Sequence, residues 1–199
     1  LPGKGETPAS SLSRIDQHML ERMTFSKFRL PSTLAREHKQ SLEHAALAAK
    51  NYAADPDGWL TFYGSTGVGK THLSVAIASE QLQKGKMVFF AFVPELMDYL
   101  RKTYSPDSQV TYDRLFEEVK NSQLLVLDDL GQEYASPWAY EKLYQIIVHR
   151  HNRRLPTIIT TRLDFTEDPG PIGSRAQDPF IGQLVFMDAP DFRVSGRVK

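Results

Sequence analysis

The sequence predicts an α/β fold of three layers, a mainly parallel five-stranded sheet between two layers of helices. Three observations carry that expectation. Short runs such as Met87-Val88-Phe89-Phe90-Ala91-Phe92 and Leu124-Leu125-Val126-Leu127 are apolar without alternation, as a strand reads when helices cover both its faces. Segments with helical spacing of apolar residues separate these runs, which is the alternation that builds parallel βαβ units. Finally, Gly64-Ser65-Thr66-Gly67-Val68-Gly69-Lys70-Thr71 fills every fixed position of the phosphate-cradling pattern G-x-x-x-x-G-K-[ST], and it stands between a strand and a helix as that pattern requires.

That stretch implies a site for ATP or GTP. Backbone without Cβ turns its N–H groups inward around a polyphosphate, and the following helix adds its positive N-terminal end. Lys70 then reaches the β- and γ-phosphates, and the Thr71 hydroxyl is offered to Mg²⁺. Trp59 to Tyr63 reads as the strand entering the loop and Thr71 to Lys84 as the helix leaving it, with Leu73, Ala76 and Ile77 facing the sheet and Gly85 as terminator.

Composition bounds the rest. A chain of 199 residues that is 41% hydrophobic suits one α/β domain with a modest appendage. With 24 basic and 24 acidic residues, no global field advertises nucleic acid or an anionic membrane, so any DNA contact must come from a local patch. The absence of cysteine removes disulfides, thiolate catalysis and zinc-thiolate sites. No long apolar run and no signal-peptide core are visible, so a soluble, cytoplasmic protein without membrane contact is expected. The first residue is Leu1 rather than Met, which suggests a piece of a longer chain.

Taken in order, Leu1 to Ser13 is rich in Gly, Pro, Ser and Thr and is expected to be a tail or linker. Leu12, Ile15, Met19 and Met23 then mark a short amphipathic helix docked on the core or on a partner. From about Ser32, a longer helix with Leu34, His38, Leu42, Ala45, Ala49 and Tyr52 on one face runs to the stop at Asp55-Pro56-Asp57-Gly58. His38 reads as a packed or hydrogen-bonded residue rather than a metal ligand. Beyond the strand at 87–92, Pro94 opens a helix that Ser105-Pro106-Asp107 breaks, and Thr111 to Lys120 forms another. A βαβ crossover needs only one helix. The extra one reads as an insertion, whose Arg101, Lys102 and Arg114 form either a solvated face or a DNA contact.

Leu124 to Asp129 is a buried strand ending in two carboxylates. Ligands of open parallel sheets bind beyond the carboxyl ends of the strands, the edge where the phosphate loop also lies. Asp128 is therefore expected to hold Mg²⁺ and Asp129 to orient and deprotonate the attacking water, with Glu133 a nearby alternative base. Ser136-Pro137 starts a helix by a side-chain cap followed by proline, and that helix ends in the densest basic cluster of the chain, His149 to Arg154. Cations complement a helix C-terminus, which accounts for the cluster structurally; DNA contact through Arg150, Arg153 and Arg154 is the sharper alternative. Thr157 to Thr161 is a further buried strand whose final hydroxyls, Thr160 and Thr161, should reach the active edge. Asp168 to Gly182 reads as an irregular, exposed loop carrying Arg175, and Leu184 to Met187 as the last strand.

The segments G-S-T-G-V-G-K-T-H-L, L-L-V-L-D-D-L-G, P-T-I-I-T-T, G-S-R-A-Q-D-P and A-P-D-F-R occur in that order. Together they resemble the AAA+ ATPases of the DnaC/DnaI replicative helicase-loader family over about residues 25–193. The resemblance implies a three-layer P-loop NTPase of the AAA+ type spanning residues 25–199, with residues 1–24 as linker. It also implies binding of ATP and ADP with Mg²⁺, self-association into an oligomer or filament, and action on a hexameric replicative helicase and single-stranded DNA. By the same resemblance Arg175 matches the arginine finger that one subunit supplies to the next, and Arg193 the second sensor arginine. Thr160 and Thr161 fall in the first sensor, Phe25 to Phe28 in the segment lining the adenine, and His72 beside the loop. A guanidinium supplied in trans offsets charge on the γ-phosphoryl group and ties hydrolysis to assembly, so a lone monomer is expected to be slow.

The chain departs from the family pattern at three places. Arg162 stands where an asparagine usually follows the two threonines. The sequence ends soon after Arg193, so no C-terminal lid domain is expected, and no substantial helicase-binding domain precedes Phe25. Three rivals stay open. One is a transposition helper ATPase of the IstB type, which shares the loop and the double acid. Another is a nucleotide-gated DNA-binding or adaptor module with little turnover, and the third is a small-molecule kinase, for which no acceptor domain or lid is visible.

Overall fold

The computed structural model describes residues 15–103, 112–131, 136–167 and 169–195. Its elements run α1 (Gln17–Arg22), α2 (Arg36–Ala54), β1 (Trp59–Gly64), α3 (Lys70–Gln83), β2 (Val88–Phe92), α4 (Val93–Lys102), α5 (Tyr112–Asn121), β3 (Leu124–Leu130), α6 (Pro137–Asn152), β4 (Thr157–Thr161), α7 (Gly170–Ala176), β5 (Gly182–Met187) and α8 (Phe192–Ser195), with a 3₁₀ turn at Phe25–Lys27. The five strands lie in the order β2-β3-β4-β1-β5 and every pairing is parallel. Trp59 sits opposite Thr157 on one side and Gly182 on the other. The chain leaves β1 towards the β2 edge and leaves its neighbour β4 towards β5 at the opposite edge. Such a reversal opens a crevice at the carboxyl ends of the strands.

Alternation along the strands divides the interior into two cores, one on each face of the sheet. Trp59, Leu125, Leu127 and Ile159 face α4, α5, α6 and α7. Leu60, Phe62, Val126, Ile158 and Val185 face α2 and α3. The three layers are those expected from the apolar runs. Ser136 caps α6 by accepting from the Ala139 N–H, with Pro137 next to it, and Asp16 caps α1 by accepting from the Met19 N–H at 2.6 Å. His38 Nδ1 lies 3.2 Å from an Asp188 carboxylate oxygen, an ion-pair distance without hydrogen-bond geometry. Among the described residues no helix is long and apolar enough to cross a membrane.

Two expectations are corrected. The segment from 168 to 182 is not an irregular exposed loop: α7 lies within it, and Ile172 and Ala176 are fully buried in the first core with Phe165. Pro171 near its start suits a first helical turn, and packing on the core outweighs the low intrinsic helix preference of Gly and Pro. β5 also begins two residues before Leu184, at Gly182. Residues 1–14, the Ser105-Pro106-Asp107 break and Glu133 lie outside the described residues.

Candidate nucleotide site

The loop between β1 and α3 takes the conformation its glycines permit. Gly67 and Gly69 have φ of 77° and 102°, a region that L side chains rarely enter. A Cβ at Gly67 would collide with the Asp191 carboxylate, and one at Gly69 would come within 2.7 Å of the Phe28 ring. The loop is thus clamped from two distant segments. The Phe192 N–H donates to the Gly67 carbonyl at 3.2 Å, and Asp191 accepts from the Arg193 N–H at 2.8 Å. This is how the C-terminal segment brings Arg193 to the loop.

Lys70, at the start of α3, is 8% exposed and donates to the Gly64 and Ser65 carbonyls at 2.7 Å each. Burial holds its ammonium below the usual lysine value, against the pull of Asp129 and Asp128. Thr71 donates to Asp128, its hydroxyl 3.0 Å from both carboxylate oxygens. Thr160 donates to Asp128 Oδ1 at 2.6 Å and accepts from the Asp129 N–H at 2.9 Å. Asp128 is fully buried; burial pushes its carboxyl up while the two hydroxyl donors pull it down. Asp129 has φ of 58°, and the β3–β4 register shifts between Leu127 and Leu130. Aspartate tolerates this left-handed geometry better than most residues. The irregularity leaves Asp129 half-exposed while Asp128 stays buried.

These groups share one cavity of about 560 Å³, lined by Lys70, Thr71, His72, Asp128, Asp129, Thr160, Arg162 and Arg193, by loop residues Thr66, Gly67 and Gly69, and by an apolar wall of Met19, Met23 and Phe92. His72 lies edge-on to Phe28 at 5.2 Å. Burial lowers its imidazole, and its Nε2–H donates to the Thr24 carbonyl at 2.8 Å, the one direction a carbonyl allows.

Not every residue singled out in the sequence meets here. Val68 is fully buried in the second core, and Phe25 and Phe28 pack against that core without lining the cavity. Thr161 points away: its hydroxyl donates to the Leu130 carbonyl at 2.7 Å, because neighbouring residues of a strand face opposite sides. Arg175 lies on α7, donates to the Pro171 carbonyl at 2.7 Å and sits 5.0 Å over the Tyr144 ring. It borders a separate open cavity with His151 and Asp178. Met19, Met23 and Phe92 line the cavity although none belongs to a motif of the sequence. Phe92 ends β2 at the edge where ligands of parallel sheets bind, a signal that was available.

The basic candidates divide. Lys102, Arg114, Arg153 and Arg154 are exposed, and Arg101 is exposed over the Trp138 ring at 5.2 Å. Arg150 is corrected: it is fully buried and cannot reach DNA. Its guanidinium donates to Thr157 Oγ1, to the Lys120 and Ser122 carbonyls and to the Pro156 carbonyl at 2.6–3.0 Å. Burial pushes it down to about 10.

Comparison with known proteins agrees with this geometry. The family described as IstB-like ATP binding protein matches residues 13–176. The replicative helicase loader DnaC of Escherichia coli strain K12 is 30% identical over 138 residues, covering 68% of this chain and 56% of that protein. The replicative helicase loader DnaI of Bacillus subtilis strain 168 is 30% identical over 133 residues, covering 66% of this chain and 40% of its own length. The chain therefore spans about half the length of the curated relatives it matches. A crystal structure of the DnaC helicase loader superposes with a TM-score of 0.69 at 26% identity, covering 87% of this chain and all of that one. A match over so much of the chain, on a fold shared with a helicase loader, shows that it belongs to the family of IstB-like ATP binding proteins, with the DnaC and DnaI loaders among its relatives.

Proposed function

We propose that this chain binds ATP with Mg²⁺ and hydrolyses it to ADP and phosphate, and that the cycle serves to place a hexameric replicative helicase on single-stranded DNA. The observation that carries the reading is the hydrogen-bonded array Thr71–Asp128–Thr160–Asp129 in one cavity with Lys70 and the glycine loop. Among the described residues, Asp128 is a buried carboxylate whose hydrogen bonds come from the Thr71 and Thr160 hydroxyls, and a buried charge of that kind invites a cation. Its oxygens and the Thr71 hydroxyl are hard donors of the sort Mg²⁺ selects. Bound there, Mg²⁺ would offset phosphate charge.

The chain's own residues account for the remaining chemistry. Loop amides and Lys70 hold the phosphates. Asp129 orients a water and accepts its proton as the new oxygen–phosphorus bond forms and the bond to the β-phosphate oxygen breaks. The helicase as partner rests on DnaC and DnaI, both named replicative helicase loaders. Self-association rests on Arg175, which does not line its own chain's cavity and would leave the Pro171 carbonyl to serve a neighbouring copy's.

Asp129→Asn should keep ATP binding and lose at least about a hundredfold in turnover; phosphate release measured beside calorimetric binding checks this, and a variant with normal turnover removes Asp129 as the base. A second reading, a transposition helper, is favoured by the IstB-like family match itself. Capture of a replicative helicase or of a transposase in paired pull-downs separates the two.

A further inference from the structure

Tyr140 and Tyr144 stand one turn apart on α6, their rings stacked at 6.3 Å with 5° between the planes. The Arg175 guanidinium of α7 continues that stack, 5.0 Å from the centre of the Tyr144 ring. Both helices beneath it are firmly seated. Ser136 caps α6, and Leu143, Ile146 and Ile147 are buried beside Tyr144. Ile172 and Ala176 anchor α7 in the same core, and a Cβ at Gly173 would come within 2.6 Å of the Phe165 ring. The two tyrosines are half-buried and pack against this core. The ladder Tyr140–Tyr144–Arg175 is therefore built on fixed backbone.

An arginine on a fixed Cα still has several soft torsions, and ordering them when it meets a partner costs rotamer freedom. The stack on Tyr144 removes much of that freedom beforehand. A cation over a ring face is attracted there without using its N–H donors, which stay available to oxygen acceptors. Among the described residues, the hydrogen bond that engages the Arg175 guanidinium goes to the Pro171 carbonyl of its own helix, at 2.7 Å. The acid that borders the same open cavity, Asp178, is taken up by His151 Nε2 at 2.9 Å. Arg175 is thus a cation steadied by a ring and not neutralised by that neighbouring carboxylate. Phosphate oxygens suit such a group well.

We propose that Tyr144, backed by Tyr140, is a positioning residue that holds the Arg175 guanidinium ready for the terminal phosphate in the nucleotide cavity of a second copy of this chain. The inference rests on the reading above that Arg175 serves a neighbouring copy. The test is turnover per chain as a function of protein concentration, beside calorimetric affinity for a non-hydrolysable ATP analogue with Mg²⁺. It compares the parent protein, Tyr144→Phe, Tyr144→Leu, Arg175→Ala and the Tyr144→Leu, Arg175→Ala pair. Tyr144→Leu should cut the concentration-dependent rise about three- to thirtyfold and change nucleotide affinity and dilute-chain turnover by less than about twofold. Tyr144→Phe keeps the ring face and should keep the rise. The paired variant should behave as Arg175→Ala alone, since the ring then has no guanidinium to hold. A full rise in Tyr144→Leu where Arg175→Ala has none, or a rise as weak in Tyr144→Phe as in Tyr144→Leu, overturns the proposal. So does an equal loss of affinity and dilute-chain turnover in Tyr144→Leu, which would make the ring a structural element. A parent protein without any rise, or Arg175→Ala that keeps it, instead removes the trans reading, and this proposal with it.

Discussion

Arg150 and Asp178 illustrate how far a residue's role depends on what surrounds it. Arg150 ties the end of α6 to the turn between α5 and β3 and to the entrance of β4. Its spacing from Leu143 and Ile147 put it on the buried face, a signal that the run of basic neighbours obscured. Arg150→Ala strips donors from buried carbonyls and leaves a cavity, so urea unfolding should show a loss of about 2–4 kcal/mol. Asp178 accepts from the Phe180 N–H at 3.0 Å and from His151 Nε2 at 2.9 Å. These bonds, the Phe180 one foremost, hold its carboxyl below the usual range. A depressed carboxyl contributes stability above its unfolded value and loses it as pH falls through the folded one. Parent and Asp178→Asn should thus differ in melting temperature at neutral pH and converge as the pH drops below the ordinary aspartate range.

At the scale of elements, the strands and most helices follow from apolar spacing and caps, because burial on both faces of a parallel sheet leaves a plain mark on composition. α7 does not, since Pro and Gly signal a turn to any local reading and only Phe165 and the first core make it a helix. α1 was legible as an amphipathic helix, yet its place beside the phosphate loop was not. It has no fully buried residue, and Met19 and Met23 form part of the apolar cavity wall. Replacing both by alanine should weaken nucleotide affinity by about tenfold and leave the melting temperature nearly unchanged. A large fall in melting temperature with intact affinity would make α1 a purely structural element.

For the whole molecule, the decisive relation is between two separate cavities, one lined by Lys70, Asp128 and Asp129 and one bordered by Arg175. If Arg175 completes the site of a second copy, turnover per chain should rise with protein concentration, and Arg175→Ala should abolish that rise while leaving nucleotide affinity intact. Turnover independent of concentration in both proteins would overturn the trans assignment. By itself the sequence determined the layers of the fold, the phosphate loop and the paired acids, because these depend on local spacing along the chain. Only the tertiary structure decided that Asp128 is buried and Asp129 is not, and that Thr161 pins the turn of Arg162. Each of those outcomes is set by which distant segment packs against the residue, and no local pattern records that.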